Sequence, residues 1–473
     1  MSDIRSHFLH SFFYPESVAV VGASSNRKTL NYNLVGNLVN LGYPGKIYPV
    51  NPNAAEILGM KAYPDLKSIE DNIDLAVVSI PVGRTMAVVR DCVAKRVKGV
   101  VLVPGGFGEI GESGRRLQDE VRGLLRENGI RALGPNTLSP INADNSFTVC
   151  FRAIERLPRG RLSFIFQSGL YDPRINWLLS DFHIYLSKLI DLGNKMDVNE
   201  VDALEYLGQD PETEVIALHL ESVAGDARTF LRLLKQIARE KPIIVLKSGR
   251  TEAGAKAASS HTGAIIKSSD AVFDAALKQA GAIRAQSLDD FFDLAKIFEY
   301  LYPMKGNRIH VSTGPGGEGV LTTDLCQFNG LTMAQLTPPT HNKLRSVFPP
   351  WEINLNPLDI GVCAQFNTGK DVFNVVVDAV AGDQNVDCIA IQARLDRFDK
   401  PEGFLNLVSG AIDQGKPVVI WMTVMPTGEN TIVHQMEARR IPVYPSAERA
   451  IKALSALYRY YTMQEAIRED GVG

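Results

Sequence analysis

Short β-branched runs recur along the whole chain, each ending in a turn rich in Gly, Ser, Pro or Asn and each followed by a helical pattern. In the first third, VAVVGAS (18–24), KIYPVNP (46–52), LAVVSIP (75–81), GVVLVPGGF (99–107) and IRALGPN (130–136) read as strands running into turns. Helical segments such as 84–97 and 113–128 lie between them. This alternation predicts a doubly wound α/β fold: a parallel sheet covered by helices on both faces. Ligands of such sheets bind beyond the carboxyl ends of the strands, so chemistry is expected in those turns.

The pattern then repeats. RLSFIFQSG (161–169) opens a second unit and RIHVSTGPGGEG (308–319) a third. Each continues with an acidic-flanked strand, EVIALHLES (214–222) or VDCIAIQAR (386–394), and then a Lys-Pro strand, KPIIVLKSG (241–249) or KPVVIWMT (416–423). Each closes on a similar strand and helix, GAIRAQSLDDFFDLAKIFEYL (281–301) or RIPVYPSAERAIKALSALYRY (440–460). Two copies of a flavodoxin-like unit account for this self-similarity. The expected domains are therefore 1–150, 160–303 and 306–465, which suits a chain of 473 residues at roughly 100–200 residues per domain.

Composition removes several classes of function. A net charge of −3 gives no electrostatic reason to expect nucleic acid or an anionic membrane as partner. No apolar run reaches the roughly 18 residues of a membrane-spanning helix, and MSDIRSHFLHSFF lacks the basic flank and apolar core of a signal peptide. Five scattered cysteines without a CxxC pair fit core filler in a reducing cytoplasm, with neither a disulfide framework nor a zinc site.

Glycine-containing strand-to-helix turns present free N–H groups and the positive end of a helix dipole to anions. VGASSN, QSGL and TGPGGEG stand at the openings of the three units. The first turn is not GxGxxG and no GxxxxGK[ST] occurs, which argues against a nicotinamide-dependent dehydrogenase and a P-loop enzyme.

One of the eight histidines, His261, sits in SSHTGA (259–264) among small and hydroxyl residues. The segment leading to it, GRTEAGAKAASSHTGA, has few core residues and is missing from the sister unit. It reads as an extended functional loop. A neutral imidazole can accept a phosphoryl group covalently, given an acid to orient it. Glu221, which ends the strand LHLES, is the candidate orienter.

At this point the chain resembles the α subunit of NDP-forming (ADP-forming) acyl-CoA synthetases, relatives of the succinyl-CoA synthetase α subunit. FFYPESVAVVGAS, GYPGKIYPVNP, VPGGFGE, LGPN, the QSG turn, LGNKMDVNEVDALEYLGQDPET, KPIIVLKSGRTEAGAKAASSHTGA and NPLDI carry the resemblance over nearly the whole length. It implies an N-terminal Rossmann-like CoA-binding domain followed by two succinyl-CoA synthetase-type flavodoxin-like domains. It implies that His261 is phosphorylated, with Glu221 in support. CoA contacts are implied for Gly22, Ala23, Ser24, Lys46, Pro81, Val82, Gly105 and Asn136. Phosphate-cradling turns are implied at Ser168 and Gly169, and at Gly314, Gly316 and Gly317. The implied reaction is acyl-CoA + Pi + ADP giving carboxylic acid + CoA + ATP, reversibly, through an acyl phosphate and a phosphohistidine. A separate ATP-grasp β subunit carrying nucleotide and Mg²⁺, in an α₂β₂ assembly, is implied as partner, and the cytoplasm as location.

The turn FQSGLYDP (166–173) departs from the small-residue sequence usual in the resembled proteins. Tyr171, Asp172 and Arg174 are expected to line the acyl pocket and select an unusual acid. The alternative is a CoA-binding protein whose catalysis is altered or lost at this turn.

Overall fold

The computed structural model describes residues 3–262, 270–393, 401–425 and 431–470, with the side chains of 259–262 and 466–470 outside the described set. They fall into two compact units, Met1–Gln286 and Ser287–Gly473. The first unit holds two large sheets and a two-stranded ribbon, Glu56–Ile57 with Met60–Lys61, and the second unit holds one sheet.

The first sheet runs Lys46–Val50, Ser17–Val21, Leu75–Val78, Gly99–Leu102, Arg131–Leu133 from edge to edge, all parallel. In chain order this is 2-1-3-4-5, the doubly wound order whose switch point lies between strands 1 and 3. Val18 and Val20 enter one core cluster, Ala19 and Val21 the other. A strand covered on both faces has no polar side, so its sequence is a continuous apolar run rather than an alternation.

The second sheet repeats the order: Leu186–Asp191, Arg159–Phe166, Val215–Leu220, Ile243–Lys247, Ile283–Ala285. An antiparallel pair, Ile141–Asn142 with Phe147–Thr148, extends its Leu186–Asp191 edge. That pair covers what would be an open strand and brings residues 137–142 over its end.

Two polar clamps fix the two sheets to each other. Asp197 is buried and accepts from Arg126 Nε and Nη2 at 2.9 and 2.7 Å, Arg131 Nε at 2.8 Å and the Ala132 N–H at 2.9 Å. Burial alone would raise its carboxyl; these donors hold it below the usual aspartate range. Asn37 Nδ2 donates to the carbonyls of Cys150 and Arg152, and Asn33 Nδ2 to that of Phe151. Gly193 lies against the Pro135 carbonyl, where a Cβ would stand only 2.2 Å from the oxygen.

In the second unit the order recurs as Thr332–Met333, Arg308–Thr313, Cys388–Gln392, Val418–Trp421, Val443–Tyr444. The helix Leu288–Tyr300 belongs here. Its buried Lys296 pairs with Glu437 at 2.5 Å, and Asp293 and Asp290 pair with Arg449 and Lys452. The sequence places this helix at the close of the preceding copy, with a boundary near 303. The contacts of the chain divide between Gln286 and Ser287, ahead of this helix.

Candidate active site

Each switch point is bridged by a side-chain amide. At the first, Asn31 Nδ2 donates to the carbonyls of both Gly22 and Ser79, each at 2.8 Å, and Ser79 Oγ donates back to Asn31 Oδ1. At the second, Gln167 Oε1 accepts the N–H groups of Glu221 and Ser222 at 2.8 and 3.0 Å. At the third, Gln392 Oε1 accepts the Gly314 N–H at 2.9 Å. The sequence reading missed all three. A single amide beside a turn carries no periodic signal.

Beyond the first sheet's strand ends lies a cavity of about 470 Å³. Pro81, Gly105 and Asn136 line it from the first sheet, and Gly169 and Asp191 from the second. The structure thus brings three of the implied CoA contacts together with one of the implied phosphate contacts. Gly22, Ala23 and Ser24 form the adjoining turn. Gly22 has φ +90°, and a Cβ there would stand 2.2 Å from the Ser79 carbonyl oxygen, so only glycine lets the two strand ends approach this closely. Val82 packs on Gly106, whose missing Cβ makes the room.

Lys46 is placed otherwise than expected. It begins its strand, opposite Ser17, while Val50 and Val21 end the pair. Four residues at about 3.3 Å each separate it from the cavity end of the sheet, and its ammonium, on a largely exposed side chain, pairs with Asp71 at 3.0 Å. A motif shows which strand a residue is on; it does not show which end of the sheet the residue reaches.

The remodelled turn also differs from expectation. Gly169–Arg174 is a short 3₁₀ helix. Tyr171 is fully buried, stacks on Phe166 and donates to the Leu138 carbonyl. Asp172 pairs with Arg152 at 3.3 Å rather than with Arg174, whose guanidinium turns back to the Leu170 carbonyl. None of Tyr171, Asp172 and Arg174 is among the residues lining the cavity.

Glu221 follows the strand Val215–Leu220 and is buried. Lys247 Nζ donates to its carbonyl at 2.9 Å, and Lys195 Nζ to the carbonyl of the next residue, Ser222, at 2.6 Å. Burial lowers the pKa of both ammonium groups, and the charge of Glu221 acts against that fall. Next to it, His219 Nε2 meets Ser248 Oγ at 2.7 Å. Burial, then Lys247 and Lys195, push its imidazole down to about 4, so it is neutral.

His261 falls in the last turn of the helix Glu252–Thr262, and its side chain is outside the described residues. The expected extended loop is helical over this span. Alanine is the strongest helix former, Glu252 and Lys256 are spaced for an i,i+4 pair, and Thr251 Oγ1 accepts the Gly254 N–H at the start. Gly314, Gly316 and Gly317 belong to the C-terminal unit, where Gly316 begins a thirteen-residue helix and Gly316 and Gly317 are exposed.

Family models match in the same sequence as the sheets: a CoA binding domain over 16–142, a succinyl-CoA ligase like flavodoxin domain over 159–298 and a ligase-CoA domain over 309–467. The α subunit of ADP-forming acetate–CoA ligase II from Pyrococcus furiosus is 34% identical over 95% of this chain and 97% of its own length. The chain belongs to the ADP-forming acyl-CoA ligase family. The ADP-forming acetate–CoA ligase II of Archaeoglobus fulgidus is 35% identical over 96% of this chain, which spans 67% of that relative. Among solved structures, the dinucleotide forming acetyl-coenzyme A synthetase 1 of Ca. Korarchaeum cryptofilum, in complex with phosphate and ADP, superposes with a TM-score of 0.85 at 32% identity, covering 99% of both chains. The three large sheets of the ligase share one strand order, and the five cysteines are buried and free. Among the described residues no helix is long and apolar enough to cross a membrane.

Proposed function

We propose that this ligase interconverts acyl-CoA, phosphate and ADP with a carboxylic acid, CoA and ATP through an acyl phosphate and a phosphohistidine at His261. The observation that carries the reading is the shared cavity. Strand ends of the CoA-binding sheet and the QSG turn of the second sheet open into one space. A thioester held by the first then lies within reach of a phosphate held by the second. Pro81, Gly105 and Asn136, with the turn at Gly22, Ala23 and Ser24, seat CoA. Ser168 and Gly169 cradle the phosphate, which attacks the thioester carbonyl and displaces the thiol. Tyr171 and Asp172 shape the acyl end indirectly, by fixing the turn from behind.

In the next step the His261 imidazole takes the phosphoryl group from the acyl phosphate and releases the carboxylate. Glu221, held in place by Gln167 and Lys247, orients that imidazole and offsets its developing positive charge. A separate ATP-grasp β subunit with Mg²⁺ receives the phosphoryl group on ADP, in an α₂β₂ assembly. The relatives named as α subunits match this chain over almost their full length, which supports a separate partner. Gly314, Gly316 and Gly317 offer a second phosphate seat for that transfer.

The test is to incubate the chain with inorganic phosphate and a panel of acyl-CoAs and to search by mass spectrometry for an acid-labile phosphate on the peptide containing His261. A gain with one acyl-CoA, lost in His261→Asn, establishes the intermediate and names the acid. No gain with any acyl-CoA, and none from ATP with the β subunit present, sinks the reading in favour of CoA binding without turnover.

A further inference from the structure

Among the described residues lining the cavity, one has an ionisable side chain, and it is a residue to which the resemblance assigns no role: Asp191. It ends the strand Leu186–Asp191, directly opposite Phe166 and beside the start of the QSG turn. Its backbone is fixed on both sides. The Thr137 and Ser139 hydroxyls donate to its carbonyl at 2.6 and 3.0 Å, and its N–H donates to Ser139 Oγ at 2.8 Å. Its carboxylate accepts the Gly193 N–H at 3.1 Å and, at a long 3.4 Å, the Leu138 N–H. A carboxylate has about four acceptor positions, so this one keeps capacity for a ligand proton.

The charges around it explain its state. Asp172 and Tyr171 face it from the 3₁₀ helix, and Cys150 lies beside Asp172. Arg152 is committed to Asp172, and no cation pairs with Asp191 among the described residues. Burial first, and then the charge of Asp172, push its carboxyl up to about 7.

We propose that Asp191 is the catalytic acid–base of thioester exchange, moving the proton between the CoA thiol and phosphate. This rests on reading the cavity as the site of acyl transfer. In the thioester-forming direction the Asp191 carboxylate takes the thiol proton as sulfur attacks the acyl-phosphate carbonyl. The new C–S bond forms, the C–O bond to the phosphoryl group breaks with its electron pair on oxygen, and Asp191 gives the same proton to that oxygen. Phosphate leaves as HPO₄²⁻ and Asp191 is restored. The reverse reaction runs through the same transfers. The carboxyl suits this proton transfer. A thiol with pKa about 8.5 is only about 3% ionised at pH 7, and a base titrating near the working pH is the most effective.

The experiment uses the complete complex with the β subunit, with CoA and either acetyl or butyryl phosphate as probes. Thioester formation is followed from about pH 5 to about pH 9, across the carboxyl and thiol ranges. The wild type is expected to rise through a midpoint near neutrality. Asp191→Asn is expected to lose about 100-fold in kcat and the midpoint with it, with KM for CoA little changed. Asp172→Asn removes the neighbouring negative charge and is expected to move the midpoint to lower pH. Phosphorylation of His261 from ATP does not use the thiol and stays intact in Asp191→Asn, which also shows that the variant is folded. If Asp191→Asn keeps the wild-type rate and midpoint, or Asp172→Asn leaves the midpoint in place, the role of Asp191 is refuted while the function stands. If the wild-type complex phosphorylates His261 from ATP yet makes no thioester from either probe, the acyl-transfer reading falls and this role falls with it.

Discussion

Gly22→Ala tests whether the first switch point is the seat of CoA. Its Cβ would stand 2.2 Å from the Ser79 carbonyl oxygen and 3.0 Å from Ile80 Cγ2. Carbon and carbonyl oxygen rest no closer than about 3.3 Å even in a favourable contact, so the two turns must part by about 1 Å. Asn31 Nδ2 sits 2.8 Å from both the Gly22 and the Ser79 carbonyls and cannot follow both, so at least one bond is lost, at about 1 kcal/mol. Holding alanine near φ +90° adds roughly 1–2 kcal/mol, and residual overlap with two backbone turns adds a further 1–2 kcal/mol or so. The sum is about 3–5 kcal/mol. Even if a third of that appears as lost affinity, CoA binds about tenfold more weakly. Isothermal titration of CoA into the purified chain, beside urea unfolding of the same sample, separates the two effects. Lowered stability with unchanged CoA affinity would refute the seat. Asn31→Ala removes the bridge without adding an atom and should weaken CoA in the same direction by less.

Asp197→Ala should cost about 3–5 kcal/mol in urea unfolding, because it leaves Arg131 half-buried against an empty site. The wild-type contribution of this carboxylate, whose folded pKa is depressed, is present above the ordinary aspartate range and is lost as pH falls through the folded value, so the variant and the wild type should converge in acid. Asp191 has the opposite sign: its folded pKa is raised to about 7, so its contribution is present in acid and is lost as pH rises through neutrality, by up to about 4 kcal/mol at 1.36 kcal/mol per unit. Asp191→Asn should therefore melt higher than wild type at pH above 7 and lose that advantage toward pH 4. Lys296→Met strands the buried Glu437 carboxylate and should destabilise the C-terminal unit by about 3–5 kcal/mol, read as a shift in the urea midpoint.

The parallel sheets were legible in the sequence because a strand covered on both faces must be written as a β-branched run closed by a turn. The duplicated units were legible because their turns and Lys-Pro strands repeat in the same sequence. Side-chain placement at the strand ends was not. Lys46 begins its strand, at the end away from the cavity. Asp191, written between LSKLI and LGNK, carries no sign of burial in its neighbours along the chain. It is buried because the Ile141–Asn142 strand and residues 137–139 cover it, a contact about fifty residues away along the chain. The helix through His261 escapes a reading by composition for a simpler reason: small residues suggest loop, although alanines and an i,i+4 Glu–Lys pair favour helix.

The cavity has two owners. Its floor is made by one sheet and its far wall by the next, and Asp197 and Gly193, both in the segment after Leu186–Asp191, bolt that segment to the first sheet. A change of acyl preference within this family therefore cannot be confined to one module. A transplanted CoA sheet would arrive with its own Pro135 carbonyl and Arg131, and would meet a loop shaped for another partner. An exchange that keeps these contacts must carry the stretch from Arg126 to Asp197 together. It crosses the line that the family matches draw between the first two domains, and recombination at that line would sever the reaction chamber rather than swap it.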